Sequence, residues 1–380
     1  MKLVEASKLR AASVFSDLLF GPDREDLSAE FVKLLAAAQE GGSSIAECFE
    51  AAYQIRNGDD SSWYAQWKIL AEANRTRGDA ALASGYIATA RRNWLRAIGY
   101  YNSSALLLDN ADERRWASVT AMQECARRFL QYRSPVGEVV TLPWLSGHTL
   151  QGYFLPAPSI HRPAPIVICI GEPGHRKEEF LSKLAPHALE RGLSMLAIDL
   201  LGVRSDDFLE DLVKRSDLDS FLSPVVDYLL SRDDVDGRGI LVLADGWGSS
   251  LVARSVASEP RVAAAVCDGG LWYLHELTFL ASRAQHQCAS ICLEEQMGRI
   301  VRDISCPVLI TLGENGWLEP ARVRDIVQRL KLHGLDVTLK FFTATETAAG
   351  QGHADNPSLA NEHIFDWLVS QLGTRQTLDG

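Results

Sequence analysis

The sequence predicts an α/β fold with a mostly parallel central sheet, preceded by an all-helical region. Residues 1–132 are rich in Ala, Leu, Glu and Arg at helical spacing, with breaks at Gly-containing pairs. Beyond them, short apolar runs of strand type alternate with helical segments. This alternation is typical of a parallel sheet covered by helices on both faces, whose sites lie at the carboxyl ends of the strands. We therefore expect a cap-like helical domain over 1–132 and an α/β domain over 133–380.

The individual elements follow from periodicity and from the residues that begin and end helices. In the first domain, a Ser/Asp cluster precedes a helix that opens with residues 63–70, and a second helix is predicted over 81–107. In the second domain, two strands form a hairpin before the alternation starts. The predicted strands are 138–143, 149–156, 166–170, 194–198, 240–243, 263–267, 308–312 and 337–342, and the predicted helices are 177–191, 217–231, 320–333 and 357–372.

Composition excludes several classes of partner. A chain of 380 residues can bury a large core, and its net charge of −11 argues against nucleic acid and anionic membrane. There is no run of about 18 apolar residues and no secretory signal at the start. We expect a cytoplasmic protein with seven reduced cysteines that acts on a small molecule, and a homodimer formed through the helical region stays open.

One predicted strand runs into a distinctive turn. The strand Ile240–Leu243 is followed by Ala-Asp-Gly-Trp-Gly and then by an apolar helical segment. A strand, a tight turn and a helix are the context of a nucleophile elbow, in which a small residue stands two positions before and after the nucleophile. Ala244 and Gly248 are the small residues, so Gly246 falls where a Ser, Cys or Asp is expected.

Two other choices of nucleophile are weaker. If Asp245 were the nucleophile, the bulky Leu243 and Trp247 would occupy the positions that must be small. Ser249 and Ser250 lie one turn inside the helix, and we interpret them as packing or capping hydroxyls. The sequence therefore predicts an elbow without a nucleophile.

Several further segments, taken together with the elbow, carry a family resemblance. The sequence resembles α/β-hydrolases of the fermentation–respiration switch protein type, which include dihydroxypseudooxynicotine hydrolase and fungal polyketide-shortening hydrolases. The resemblance covers nearly the whole chain and implies an α/β-hydrolase fold behind a helical N-terminal domain, with a ketone- or polyketide-like substrate. The segments are Trp63–Trp67, Arg96–Tyr101, Lys177–Glu179, Cys306–Ile310, Gly352–Asn356 and Phe365–Leu368.

The resemblance also implies positions for the other members of a catalytic triad. An acyl-transfer triad needs a nucleophile, a histidine base and an acid that orients the histidine. The family places its base at His353, in a Gly-rich loop before the last helix, and its acid at Gly316. Glu314 is the alternative acid. Without an orienting acid, we expect the tautomer of His353 to be loosely fixed and its pKa not to be raised.

The oxyanion site needs backbone N–H groups rather than particular side chains. The resemblance implies the N–H of Trp247 and one from the loop that starts at Gly171, for which Glu172 is the better candidate. The side chains of Glu172 and His175 are either acid–base groups or solvated loop residues. The Lys177–Glu179 group begins a helix, and we interpret it as structural.

Residues at other strand ends complete the candidate site. Asp199 and Asp268 each end a strand, where a carboxylate either shapes the following loop or faces the pocket. Trp247, Trp272 and Tyr101 are candidates for aromatic walls of the pocket, or else pack in the core or between the domains.

These observations predict an enzyme that needs no cofactor and no metal, because no phosphate-binding, dinucleotide-binding or zinc motif occurs. The main hypothesis is non-hydrolytic chemistry (elimination, decarboxylation, cyclisation or pericyclisation) at Gly246, with His353, Glu172 or Asp199 moving protons. One alternative is a C–C bond hydrolase in which His353 activates water without a serine. The other is a non-catalytic binding or regulatory protein that keeps the pocket.

Overall fold

The structure is a computed structural model in which most of the chain is described. The described residues are 20, 24–56, 58–144, 149–158, 163–171, 177–199, 220–246, 248–269, 303–316 and 319–378.

In the described part of the chain, five helices come first. The third begins after Asp59, whose carboxylate accepts hydrogen bonds from the backbone N–H groups of Ser61 and Ser62, as the Ser/Asp cluster predicts. The helices are α1 (Glu25–Ala37), α2 (Ile45–Gln54), α3 (Asp60–Ala83), α4 (Ile87–Ala105) and α5 (Glu113–Gln131).

The helix predicted over 81–107 is wrong at its start. Residues up to Ala83 belong to α3, and α4 begins only at Ile87. Gly85 lies between the two helices with a φ of +81°, a left-handed conformation that glycine adopts without steric cost and that ends a helix. Tyr86 is 66% exposed because it lies in this connection.

Eight strands form one sheet in the order β1-β2-β4-β3-β5-β6-β7-β8. The first two strands form the predicted antiparallel hairpin, β2 also pairs antiparallel with β4, and the remaining pairs are parallel. The predicted α/β fold with a mostly parallel sheet is therefore confirmed. The strands are β1 (Glu138–Pro143), β2 (Thr149–Leu155), β3 (Ala164–Ile170), β4 (Ser194–Asp199), β5 (Val235–Asp245), β6 (Ala264–Asp268), β7 (Val308–Gly313) and β8 (Val337–Phe342).

One predicted helix is divided in two. The segment 177–191 contains α6 (Phe180–Lys183) and α7 (Ala185–Glu190), with a break at Leu184. Pro186 lies in the first turn of α7, and its ring disfavours a continuous helix through the preceding residues. The remaining helices are α8 (Leu222–Leu230), α9 (Gly248–Ala257), α10 (Pro320–Leu332) and α11 (Pro357–Leu378).

The two faces of the sheet bury different sets of helices. One face shares a continuous apolar core with α1–α7 and α11, whereas the other packs against α8, α9 and α10. Polar contacts hold the first helices at the carboxyl edge of the sheet. Glu179 accepts hydrogen bonds from Asn102, and Glu40 accepts one from Ser358. The helical region therefore lies beside the strand ends, where the candidate site was predicted.

The expectations about the cysteines and about membrane-spanning segments can be compared with the described residues. Among the described residues, Cys48, Cys125, Cys169, Cys267 and Cys306 are buried cysteines without a disulfide bond, while Cys288 and Cys292 lie outside the described residues. Among the helices that the structure describes, none combines the length and the apolar character needed to cross a membrane.

Candidate active site

The turn after β5 has the backbone geometry of an elbow. Gly246 follows the last residue of β5 with a φ of +54°, and α9 begins two residues later. Its N–H donates to the carbonyl oxygen of Asp268 at 2.7 Å, which ties the turn to the end of β6. The left-handed residue of the turn is therefore Gly246, and Asp245 belongs to the strand.

The small residue after the turn is required by close packing. A side chain on Gly248 would place its Cβ 3.0 Å from the carbonyl oxygen of Gly171, at the end of β3. Ser249 is buried and its hydroxyl lies 3.3 Å from the carbonyl oxygen of Ala244, which fits the interpretation as a packing hydroxyl.

His353 lies buried near the elbow with both ring nitrogens close to oxygen atoms. Its Nδ1 lies 2.7 Å from the carbonyl oxygen of Ala348, and its Nε2 lies 3.1 Å from Oδ1 of Asp268. The second contact is close but poorly aligned for a hydrogen bond. Phe342 packs edge-on against the ring, with 4.9 Å between the ring centres. The same Oδ1 of Asp268 accepts a hydrogen bond from Thr311 at 2.6 Å.

These contacts define where protons lie. A carbonyl oxygen only accepts, so Nδ1 carries a proton, and the carboxylate beside Nε2 favours a second proton on the ring. Burial disfavours a charged ring, but the Asp268 carboxylate outweighs it, and the pKa of His353 is raised. The expectation of an unfixed histidine with no raised pKa is wrong, because a strand-end carboxylate provides the partner.

Neither acid position named from the loop after β7 reaches the histidine. A Cβ on Gly316 would lie 2.8 Å from Oε1 of Gln351, so this side chain occupies the space an aspartate would need. Glu314 is exposed, and its carboxylate accepts a hydrogen bond from the backbone of Ala344 instead.

Three glycines lie close together beside the Asp268–His353 pair. A Cβ on Gly269, directly after Asp268, would lie 3.7 Å from Cα of Gly352 and 3.8 Å from the nitrogen of Gly246. A Cβ on Gly352 would meet no atom within 4 Å. The backbone of Gly269 therefore lies against Gly246 and Gly352, two glycines that line the neighbouring cavity.

The cavity has a volume of about 490 Å³ and lies between the helical region and the carboxyl edge of the sheet. Its size is that of a pocket for a small organic ligand. Apolar side chains from α1, α4 and the segment after α4 line one side, among them Leu34, Ile98, Leu106 and Leu107.

Charged side chains line the other side of the cavity. Nζ of Lys183, in α6, lies 2.5 Å from Oδ2 of Asp245, next to Gly246. Nζ of Lys33, in α1, lies 2.8 Å from Oε2 of Glu179. Burial acts against the charge on Lys183, but Asp245 and then Asp268 outweigh it and raise its pKa, so the amine is an ammonium.

Sequence reasoning missed Lys183 and Lys33. Lys183 stands in a short amphipathic segment where a lysine is unremarkable, and its partner is 62 positions away. Lys183 stands four positions after Glu179, a spacing that places two residues on the same face of a helix. Glu179 was assigned a structural role, but it also lines the cavity, so this spacing was the signal that could have identified Lys183.

Asp199 has partners of its own. Its Oδ2 lies 2.6 Å from Nζ of Lys177, and its Oδ1 accepts a hydrogen bond from the N–H of Lys177. Lys177 also lies 3.3 Å from Glu178, which accepts a hydrogen bond from the hydroxyl of Tyr153. Burial raises the pKa of Asp199 to about 6, although Lys177 pulls it down. This group fixes the end of the loop that follows β3.

The other candidates divide between the helical core and the undescribed residues. Tyr101 is buried in the apolar core of the helical region and is not among the residues that line the cavity. Glu172, His175, Trp247 and Trp272 lie outside the described residues. Within the described ranges, no three His, Cys, Asp or Glu side chains are grouped as a metal site would require.

The sheet order and the elbow define the class of the protein: it has the α/β-hydrolase fold. Its sequence is also similar to proteins named as hydrolyases and hydrolases. It is 26% identical over 368 residues to the hydrolyase poxO of Penicillium oxalicum. The aligned region covers 93% of this chain and 80% of poxO. It is 28% identical over 367 residues to the 20-hydroxy-prefusarin hydrolase FUS2 of Gibberella moniliformis. The aligned region covers 91% of this chain and 87% of FUS2.

Solved structures agree on the fold. The 2,6-dihydroxy-pseudo-oxynicotine hydrolase superposes with a TM-score of 0.66 at 21% identity, covering 88% of this chain and 94% of its own. The protein AbyA5 superposes with a TM-score of 0.58 at 16% identity, covering 91% and 99%. No protein-family model matches the sequence.

Proposed function

We propose that the protein is an enzyme that has lost the nucleophile of its fold and catalyses proton-transfer chemistry on a ketone- or polyketide-like small molecule. The reaction is an elimination or a cyclisation that passes through an enolate. The observation that carries this proposal is the Lys183–Asp245 pair, which lines the cavity beside the side-chain-free elbow at Gly246.

Acyl transfer is not supported at this elbow. Glycine cannot attack a carbonyl, and removing the serine from a measured serine protease costs about 10⁶ in turnover. Because Gly246 has no side chain, the space that a hydroxyl would take is left for a substrate atom or a water molecule. The elbow then serves as a surface on which a carbonyl group rests.

Lys183 and Asp245 supply the two functions that enolate chemistry needs. The ammonium of Lys183 stabilises negative charge as it develops on the carbonyl oxygen, and Asp245 accepts the proton from the neighbouring carbon. In an elimination, the C–H electrons form the new double bond as a β-hydroxyl group departs. That hydroxyl leaves as water with the proton that Asp245 took up, so the carboxylate is restored.

The relatives support a small organic substrate, since the name of one of them states 20-hydroxy-prefusarin as its substrate and another is named a hydrolyase. The alternative in which His353 activates water for C–C bond hydrolysis has less support. It needs a free Nε2, and that atom lies 3.1 Å from Asp268. A regulatory protein without activity would not need paired charges in an open cavity.

A deuterium-exchange assay tests the proposal without knowledge of the natural substrate. A panel of β-hydroxy ketones and 1,3-diketones is incubated with the protein in D₂O, and exchange next to the carbonyl is followed by NMR. We expect exchange with the wild type and a loss of about 10²–10³ in rate in Lys183→Met, the range seen when one charge-stabilising donor is removed. Lys331→Met, at an exposed position of α10, is the matched control.

Two results would contradict the proposal. One is exchange at the buffer rate with every ketone of the panel. The other is an unchanged rate in Lys183→Met, which would show that the ammonium takes no part.

A further inference from the structure

Two arginine side chains lie where the helical region meets the sheet, and neither has an acidic partner. Arg133, just after α5, is only 6% exposed, and both of its Nη atoms lie 3.4 Å from the carbonyl oxygen of Pro156. Contacts of that length are at the limit of a hydrogen bond. Arg91, in α4, lies with its guanidinium carbon 5.4 Å from the centre of the Phe129 ring, and its Nε is buried without a partner.

The two arginines lie at the same end of α5. Arg91 stacks on Phe129 in the last turn of that helix, and Arg133 follows the end of the helix by two positions. The charge of Arg91 adds to the effect of burial and lowers the pKa of Arg133 to about 10. At neutral pH both groups are therefore cations close enough to repel each other.

This arrangement differs from the other buried cations. Lys177 lies 2.6 Å from a carboxylate oxygen and Lys183 lies 2.5 Å from one. Across the described ranges, no Asp or Glu forms an ion pair with Arg91 or Arg133. A buried charge without a counter-charge is costly, and the stacking on Phe129 compensates only part of that cost.

The arginines are far from the elbow. Pro156 follows the end of β2, and Leu155 pairs with Met195 at the start of β4, so this is the amino edge of the parallel strands. Gly246 follows the opposite edge. A strand of seven residues such as β3 spans about 23 Å, which places the two regions at opposite ends of the sheet.

We propose that Arg91 and Arg133 form a binding site for a phosphate group at the amino edge of the sheet, separate from the cavity at the elbow. Two guanidinium groups match the two negative charges of a phosphate. Each guanidinium has five N–H donors in a fixed fork that fits phosphate oxygens in pairs. The anion supplies the counter-charge that the protein lacks, and it joins α4, the end of α5 and the end of β2.

Thermal unfolding with inorganic phosphate as the probe tests the site. The midpoint is measured against phosphate concentration at constant ionic strength, with chloride as the compensating salt. For the wild type and for Arg92→Met, an exposed position next to Arg91, we expect the midpoint to rise with the logarithm of phosphate concentration. In Arg91→Met and Arg133→Met we expect this rise to be lost.

A second test compares the unfolding midpoints of the wild type and Arg133→Met in chloride and in phosphate. In chloride alone, Arg133→Met should unfold at or above the wild-type midpoint, because an unpaired buried charge is replaced by an apolar side chain. In phosphate the order should reverse. Adenosine monophosphate in a parallel series distinguishes a phosphate ester from the free ion, and a specific rise with either supports the site.

The proposal fails if neither phosphate compound raises the wild-type midpoint above the chloride control. It also fails if the rise is the same in Arg91→Met as in the wild type. If Arg133→Met does not fold, Arg91→Met decides alone, since it leaves the contact of Arg133 with Pro156 intact.

Discussion

The contact between Asp268 and His353 makes the stability of the protein depend on pH in a defined direction. The pKa of His353 is raised in the folded chain above its ordinary value of about 6.5. A raised pKa adds stability that is fully present below the unfolded pKa and is lost as the pH rises through the folded pKa. Each unit by which the pKa is raised contributes about 1.4 kcal/mol to the free energy of unfolding.

Asp268→Asn isolates this contribution because it removes the charge and keeps the shape. The amide atom at the Oδ1 position either accepts from Thr311 as an oxygen or donates to Nε2 of a neutral ring as a nitrogen, and the cost of the contact it loses does not change with pH. We expect the wild type to be more stable than Asp268→Asn below about pH 6.5, with the difference shrinking as the pH rises. Asp268→Ala should cost about 1–3 kcal/mol more for each group left unsatisfied, at high pH as well.

Urea unfolding followed by tryptophan fluorescence from about pH 5 to about pH 8 measures these differences. His333→Gln, at an exposed position after α10, controls for general effects of losing a histidine and should show no such trend. A difference in the free energy of unfolding between wild type and Asp268→Asn that stays constant or grows with pH would refute the conclusion that the Asp268 carboxylate raises the pKa of His353.

Three further substitutions test the elbow and the buried charges. Gly246→Ser should leave the protein unlabelled by a fluorophosphonate probe, with ester hydrolysis at the buffer rate, and should cost about 1–3 kcal/mol because of the positive φ. Gly248→Ala should lower stability by about 1–3 kcal/mol through overpacking against the end of β3, whereas Gly373→Ala in α11 should raise it by about 1 kcal/mol, as thermal unfolding will show. Asp199→Ala should cost about 3–5 kcal/mol in urea unfolding by leaving the ammonium of Lys177 buried without its closest partner, and the loss should be smaller in the double variant with Lys177→Met.

The strands could be predicted from the sequence more closely than the helices. The last strand, Val337–Phe342, has the predicted bounds, and the hairpin strands were placed to within one residue. Buried strands are continuous apolar runs that end where polar or small residues begin, so the sequence marks most of their ends. The exception is β5, which begins at Val235, five residues before its predicted start, in a segment of polar and glycine residues. The helix errors at Gly85 and at Leu184 arose where a short break interrupts one long apolar pattern, and periodicity alone does not show such breaks.

The candidate site could be predicted only where it depends on local spacing. Gly246 was identified because the elbow is a contiguous motif, and the structure gives it the positive φ that the motif needs. The partner of His353 could not be identified in this way. Asp268 is 85 positions away in the chain, and parallel pairing of β6 with β5 and β7 brings it to the elbow. The same holds for Lys183 and Asp245, whose pairing depends on how α6 packs against the sheet.

Asp268 lies beside the histidine nitrogen that would face the nucleophile in a triad, and no acid of the described residues lies beside the other nitrogen. In a triad, Nε2 of the histidine takes its proton from the nucleophile and Nδ1 is held by the acid. Here a carboxylate lies at Nε2 and a backbone carbonyl lies at Nδ1. A buried histidine without a hydroxyl beside it leaves Nε2 without a hydrogen-bond partner, and the carboxylate of Asp268, 3.1 Å away, stabilises the protonated ring through its charge. A serine at position 246 would then compete with Asp268 for the same nitrogen, so restoring the hydroxyl alone does not rebuild a triad.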